Sequence, residues 1–276
     1  DSQIKAMTRK DGGAVLAVDD RAAGMVVLLR QPIESAAPSP EVIARIPRSR
    51  WHAPNHADPA ERHTGSVSIS RDGRRLALLL WDAVSNGFGI FIEDLDHQDA
   101  DAPGAVRTSR RGTILPGSIA FSPNGASLAY LRASEGGFAD LWLLPVDQPG
   151  LDGEAVALRV VGAEFSFSPD GAQIAVATSG REAAEVSLRV LDAAFGDTAL
   201  RIPNGRVSRH SWHSPTNALV FAMSDGADTE ALYEARPGES GPPRLLQPGA
   251  LAPTETYSVS PDGRWIALSA DGGRAI

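Results

Sequence analysis

Residues able to bind a metal are concentrated between positions 51 and 63. This segment carries three histidines and two carboxylates, His52, His56, His63, Asp58 and Glu61. Imidazole and carboxylate groups are both zinc ligands in proteins, but two prolines in the segment break any helix that would place His52 and His56 on one face. We therefore predict an exposed loop with no metal and no cofactor. Trp51, His52, His56 and His63 become candidate partner-binding residues.

Other patterns associated with catalysis are weak in this sequence. A serine nucleophile needs a strained elbow, and the G-x-S-x-G pattern that builds one does not occur. The nearest string, Gly238-Glu239-Ser240-Gly241, lies in a proline-rich segment that predicts a turn. Paired carboxylates such as Asp94 and Asp96 lie at predicted strand ends, where aspartate commonly forms turns. The sequence therefore predicts that the chain is not an enzyme.

The charge and the apolar runs of the sequence argue against two kinds of partner, nucleic acid and the membrane interior. The 276 residues include 26 Lys and Arg against 34 Asp and Glu, a formal net charge of −8, and no basic stripe could follow a phosphate backbone. The longest apolar runs, such as residues 76–81, are too short to span a bilayer. With 42% hydrophobic residues, 27 Gly and 20 Pro, the chain is expected to fold with many turns. We predict neither nucleic-acid binding nor membrane insertion.

An internal repeat dominates the sequence and sets the fold. An apolar residue, a Ser-Pro-Asp-Gly-like turn and an apolar-Ala pair recur as ISRDGRRLA (69–77), FSPNGASLA (121–129), FSPDGAQIA (167–175) and VSPDGRWIA (259–267), with a degenerate copy, WHSPTNALV (212–220). The copies start at 69, 121, 167, 212 and 259, which gives steps of 52, 46, 45 and 47 residues. An earlier copy, KDGGAVLAV (10–18), brings the count to six.

Each repeat reads as four antiparallel strands. An alternating strand enters the turn, the Asp-Gly pair favours a tight hairpin, and two further apolar stretches complete the period. Four strands in about 45 residues are the strand number and the repeat length of a propeller blade. We predict one all-β domain over residues 1–276, a β-propeller of about six four-stranded blades, the sixth incomplete. Its repeat turns fall near 9–12, 70–73, 122–125, 168–171, 213–217 and 260–263.

A second polar group lies on the predicted inner strand of the fifth repeat. Arg209 and His210 precede Trp212 and His213 there. Trp212 shares the register of Phe121 and Phe167 and is predicted to be a core residue. The position of His210 predicts burial between blades with a hydrogen bond. Arg209 and His210 are candidate partner-binding residues, because side chains at this position could line the central channel or its mouth.

The repeat resembles a known family. A Ser-Pro-Asp-Gly turn followed by Ile/Leu-Ala, and then an apolar strand closing on Asp, is similar to the TolB-like (WD40-like) propeller repeats, which also occur in relatives of prolyl oligopeptidase. The resemblance covers nearly the whole chain. It implies a six-bladed fold, a periplasmic or extracytoplasmic location, and binding to peptide segments of partner proteins. It carries no catalytic residues.

These observations lead to one functional expectation and one alternative. We expect a protein-protein interaction module that binds a peptide or a neighbouring subunit by a propeller rim or the central channel. The alternative is an accessory propeller domain of a larger serine hydrolase or peptidase. The incomplete sixth repeat predicts that residues of a longer native chain follow Ile276. The uneven segments 31–66 and 97–113 are expected at binding faces.

Overall fold

The computed structural model describes most of the chain. The described residues are 2–10, 13–20, 25–32, 40–47, 64–82, 87–95, 105–107, 114–147, 153–179, 186–192, 200–202, 206–213, 216–224, 230–239, 241–251, 257–260 and 264–268. They form two compact units. The first comprises Asp1–Gly137 and Leu141–Ala155, and the second comprises Phe138–Asp140 and Val156–Ile276.

The first unit consists of antiparallel sheets whose strands pair in chain order. Its strands are β1 (Ser2–Lys10), β2 (Gly13–Asp20), β3 (Met25–Pro32), β4 (Glu41–Pro47), β5 (Thr64–Ile69), β6 (Arg75–Asp82), β7 (Gly87–Asp94), β8 (Ala105–Arg107), β9 (Ile114–Phe121), β10 (Ser127–Ala133) and β11 (Ala139–Pro145). The order is β1-β2-β3-β4 in one sheet and β5-β6-β7-β8 in the next, and β9, β10 and β11 are again consecutive neighbours. A short 3₁₀ turn occupies Glu135–Gly137.

The second unit repeats this pattern. Its strands are β12 (Glu154–Phe167), β13 (Gln173–Ser179), β14 (Val186–Asp192), β15 (Leu200–Ile202), β16 (Arg206–His213), β17 (Ala218–Ser224), β18 (Glu230–Ala235), β19 (Arg244–Leu251), β20 (Tyr257–Val259) and β21 (Ile266–Leu268). The first two residues of β12 belong to the first unit, and the first two residues of β11 belong to the second. The strands β12 to β15 are consecutive neighbours, β16 to β19 form a sheet in chain order, and β20 pairs with β21.

Serine and aspartate close the hairpin turns in one recurring way. Ser168 Oγ donates to Asp170 Oδ1 at 2.6 Å and accepts from the backbone N–H of Gln173 at 2.9 Å. Gly171 supplies the positive φ of 75° that the turn needs. The same contact, from a backbone N–H to the serine five residues earlier, recurs from Arg75 to Ser70, Ser127 to Ser122 and Trp265 to Ser260. The Ser-Asp-Gly repeat is therefore a hydrogen-bonding unit.

The degenerate fifth copy reaches the same hairpin by another route. Thr216 occupies the position of the turn glycine, and its N–H donates to His213 O at 3.3 Å. The left-handed residue moves one position along the chain, to Asn217 with φ 52°. Asparagine tolerates this region better than most residues. The hairpin of β16 and β17 therefore survives without Asp-Gly, as the conserved seven-residue step from Trp212 to Leu219 predicts.

The strand β12 differs from the sequence prediction. The sequence indicates a weak fourth strand at residues 155–161 and a separate first strand from Glu164, but the structure has one continuous strand of 14 residues. The interruption lies in the pairing instead. Val160 lies opposite Thr178 and Phe165 opposite Val176, so the register with β13 shifts between them. A bulge of this kind bends the strand and changes its direction, but the strand continues.

Each unit has its own apolar core. In the first unit Leu128 and Ile114 are fully buried, and Tyr130 stacks on Trp142 with a centroid distance of 6.4 Å. In the second unit Phe221 is fully buried and stacks on Tyr233 at 5.8 Å. The predicted core positions Phe121 and Trp212 are buried, whereas Phe167 is half-buried.

Candidate functional site

The first strands of neighbouring sheets lie next to one another in each unit. In the first unit β5 contacts both β1 and β9. In the second unit β16 contacts β20, and Trp212 Nε1 donates to the backbone oxygen of Ser166 on β12 at 3.1 Å. These first strands are therefore the inner strands of their sheets. In the second unit they bring together a polar group, the inner-strand cluster, formed by Glu164, Ser166, Arg209, His210 and Tyr257.

His210 is the buried imidazole of the inner-strand cluster. Its Nδ1 shares a hydrogen bond of 3.2 Å with Ser166 Oγ on the neighbouring inner strand. Its Nε2 is buried and has no hydrogen-bond partner in the described part of the chain. Burial lowers the pKa of the ring below its ordinary value, because desolvation disfavours the charged form. The predicted hydrogen bond of His210 is confirmed, and its ring nitrogen Nε2 is buried as predicted, while the residue as a whole is half-buried.

The lowered pKa of His210 predicts a pH-dependent stability. The unfolded chain takes up this proton near pH 6.5, whereas the folded chain resists it, so stability falls as the pH drops below about 6.5. We expect a loss approaching 1.4 kcal/mol per pH unit from this one group, continuing down to its folded pKa. Urea denaturation at pH 7.5 and pH 5.5 measures it. His210→Phe, which places the aromatic ring found at Phe165, should reduce the difference between the two pH values. Equal pH dependence in both proteins would contradict this account.

Arg209 carries a second unpaired nitrogen of the inner-strand cluster. Its Nη1 is buried and has no hydrogen-bond partner among the described residues. Its backbone oxygen, by contrast, lies 3.4 Å from Tyr257 Oη, and that hydroxyl donates its single proton to Val220 O at 2.8 Å. A buried guanidinium nitrogen without an acceptor loses its hydration and gains nothing in return. The arrangement therefore leaves one strong donor of Arg209 unpaired within the described part of the chain.

Glu164 and Tyr257 stand beside Arg209 on the flanking inner strands. Partial burial raises the pKa of the Glu164 carboxyl, and the Arg209 charge opposes that shift. Burial also raises the pKa of the Tyr257 phenol, followed in size by the charge of Glu164. The Tyr257 hydroxyl stays protonated at neutral pH and donates a hydrogen bond to the backbone oxygen of Val220. Tyr257 thus fixes β20 against β17, and Glu164 makes no hydrogen bond with Nη1 of Arg209.

Three known structures show what this chain resembles. A prolyl endopeptidase matches over 97% of this chain and 39% of its own, with a TM-score of 0.61 and 13% identity. TolB from Acinetobacter baumannii matches over 100% of this chain and 56% of its own, with a TM-score of 0.51 and 14% identity. The β-propeller domain of the Trilobed protease from Pyrococcus furiosus matches over 78% and 70%, with a TM-score of 0.53 and 13% identity.

The fold is a TolB-like β-propeller. No protein-family model and no curated protein sequence matches the chain, so the likeness is one of structure. The chain spans about two fifths of the prolyl endopeptidase and just over half of TolB. The predicted all-β propeller class is confirmed, and the count of six blades stays a prediction.

A second polar group lies on the sheet formed by β16 to β19, and the sequence analysis did not predict it. Glu234 on β18 is buried and accepts from Arg244 Nε at 3.0 Å and Nη2 at 2.6 Å. His213 Nδ1 lies 3.4 Å from the other oxygen of Glu234 and 2.9 Å from Thr216 Oγ1. Beside this group, the loop from β18 to β19 forms a cleft of about 430 Å³ that includes Arg236. The opposite charges of Glu234 and Arg244 pair directly across β18 and β19, so this ion pair stabilises the hairpin of these two strands.

The predicted partner-binding residues fall into two sets. Trp51, His52, His56 and His63 lie outside the described residues. Arg209 and His210 are described, and the propeller brings them next to Glu164 and Tyr257. Their register in the repeat, with Glu164 aligned to Arg209 and Tyr257 aligned to His210, was the available sequence signal. Within the described ranges, no three His, Cys, Asp or Glu side chains are grouped to hold a metal, and no helix has the length and apolarity to cross a membrane.

Proposed function

We propose that this propeller is a non-catalytic protein-binding module whose inner-strand cluster receives a peptide segment of a partner. The observation that carries the proposal is the buried Nη1 of Arg209, which has no acceptor in the described part of the chain. Arginine is a frequent anchor at protein interfaces, because its guanidinium offers several donors in a fixed geometry. An extended peptide is rich in backbone acceptors that suit this donor.

The neighbours of Arg209 support a site for a partner rather than a purely structural role. An arginine used only for stability is expected to have its buried donors paired, because leaving one unpaired costs about 1 to 3 kcal/mol. Here Tyr257 holds the adjacent backbone in place while the guanidinium nitrogen stays unused. A binding partner that supplies the missing acceptor recovers this free energy on association.

A second candidate function is an accessory propeller of a larger serine hydrolase or peptidase. It is favoured by the likeness to the propeller domain of the Trilobed protease, which extends over 70% of that domain. In this case the propeller screens substrates for an enzyme domain in the same polypeptide. For either function we propose a periplasmic or extracytoplasmic location, which rests on the similarity to TolB.

Affinity purification from the native source, followed by mass spectrometry, tests the proposal. The baits are the intact chain, Arg209→Ala, a variant with residues 48–63 replaced by a Gly/Ser linker, and Arg236→Ala. Arg236 is a matched control, since it is an exposed arginine of the same unit that pairs with Glu239 at 3.3 Å. Thermal unfolding of every bait confirms that the variants fold.

We expect one partner to be recovered with the intact chain and with Arg236→Ala. Its recovery should fall by about tenfold or more with Arg209→Ala, as for the loss of a charge-assisted hydrogen bond. Loss with the 48–63 replacement as well would place a further contact in that segment. Equal recovery with Arg209→Ala would overturn the inner-strand site. Recovery of the propeller only within a longer polypeptide bearing a hydrolase domain would favour the second candidate.

A further inference from the structure

The chemistry around Arg209 restricts what the inner-strand cluster can bind, and this inference rests on the proposed function. Nη1 of Arg209 is a donor only, is buried, and has no acceptor among the described residues. Glu164 is exposed overall, and its charge acts on Arg209, yet it does not accept a hydrogen bond from Nη1. When ionised, Glu164 is an acceptor only. A donor and an acceptor therefore stand near each other without direct contact through that nitrogen.

Charge excludes the simplest ligands for this pair. A carboxylate or phosphate would satisfy Arg209 but would be repelled by Glu164, and by Glu230, which is buried and whose charge also acts on Tyr257. A cation would satisfy Glu164 but would be repelled by Arg209. Like charges placed close together in a partly buried site are unfavourable. The preferred group is uncharged and offers one acceptor and one donor.

We propose that Arg209 and Glu164 bind a single backbone amide of an extended peptide. The peptide carbonyl accepts from Arg209, and the peptide N–H donates to Glu164. Two other polar groups of the cluster are already engaged, because the Tyr257 hydroxyl donates to the backbone oxygen of Val220 and His210 Nδ1 is hydrogen-bonded to Ser166, whereas His210 Nε2 has no partner among the described residues. Recognition at this point is therefore independent of peptide side chains, and the specificity of the propeller for its partner lies elsewhere.

Three pools of octapeptides, all acetylated and amidated, test this inference on the immobilised chain. One pool has no charged residue, one has a single Asp, and one has a single Lys. Four variants accompany the intact chain: Arg209→Lys, Glu164→Gln, Glu164→Ala and the control Arg236→Lys. Lysine keeps the charge of Arg209 but has a different donor geometry, and glutamine keeps an acceptor oxygen at position 164.

We expect the uncharged pool to be retained by the intact chain, by Arg236→Lys and, with a smaller loss, by Glu164→Gln. Retention should fall by about tenfold or more in Arg209→Lys and Glu164→Ala. Because the ligand carries no charge, retention should change little between 50 and 500 mM salt, whereas binding between opposite charges weakens as salt is added.

The outcomes separate this inference from the proposed function. Retention of the Asp pool alone, with strong salt dependence, would make Arg209 an anion receptor and overturn the amide assignment, while peptide binding would stand. Equal retention of all pools by every variant would show that peptide binds without using Arg209 and Glu164, and would overturn the assignment. If the purified partner depends on Arg209 but the uncharged pool does not, the inference fails and the proposed function survives. If neither depends on Arg209, both fail.

Discussion

Phe221→Ala is expected to destabilise the second unit by about 3 to 5 kcal/mol, the range for deleting a large buried aromatic side chain. Phe221 is fully buried on β17 and belongs to the core cluster of Leu188, Val190, Trp212 and Leu219. Truncation leaves a cavity and also removes the stacking contact with Tyr233. Chemical denaturation followed by circular dichroism measures the loss.

A matched exposed aromatic side chain is available as the control for Phe221. Trp265 is 72% exposed at the start of β21, so Trp265→Ala should change the free energy of unfolding by less than about 0.5 kcal/mol. Phe221→Leu retains much of the buried volume and should fall between the two. A similar effect of Phe221→Ala and Trp265→Ala would contradict the assignment of Phe221 to the core.

Gly153→Ala is expected to destabilise the first unit by about 2 to 5 kcal/mol, through two effects that add. Gly153 has φ +79°, a region that costs other residues about 1 to 2 kcal/mol. A methyl group at this position would also lie 2.5 Å from the backbone oxygen of Leu143, and neither backbone segment can yield without moving a strand. Overpacking of this kind adds about 1 to 3 kcal/mol. Thermal or denaturant unfolding gives the total.

Gly137 separates the two effects at Gly153. It has the same φ of +79°, but a methyl group there meets no atom within 4 Å. Gly137→Ala should therefore show the conformational cost alone, and the difference between the variants reports the contact with Leu143. If both variants lose the same stability, steric contact at Gly153 contributes nothing and this part of the explanation is wrong.

The sequence predicted the strands well, because two separate features of each repeat specify where a strand begins and which face it buries. Each turn specifies a hairpin through its own residues, and each apolar-Ala pair specifies the buried face of the returning strand. The same register placed Trp212 in the core and predicted the hydrogen bond of His210, as the structure has them. Periodic features were thus predictable from local patterns.

Features that depend on neighbouring strands were not predictable. The continuity of β12 depends on a register shift against β13. Gly162 is a local sign of an irregularity there, but it does not tell a bulge within one strand from a break between two strands. The missing acceptor of Arg209 depends on where Glu164 and Tyr257 lie on separate strands, so inspection of any one repeat cannot reveal it. The ion pair of Glu234 with Arg244 joins residues ten positions apart through strand pairing.

The recurring contact between the turn serine and the N–H five residues later has a consequence for the order of folding. It joins groups close in sequence, so each hairpin closes a short loop at small entropic cost and can form before any other blade exists. In repeat proteins such local units allow nucleation at several places, followed by propagation to neighbours. The fifth hairpin has His213 in place of that serine, and its closure is expected to follow the others rather than lead them.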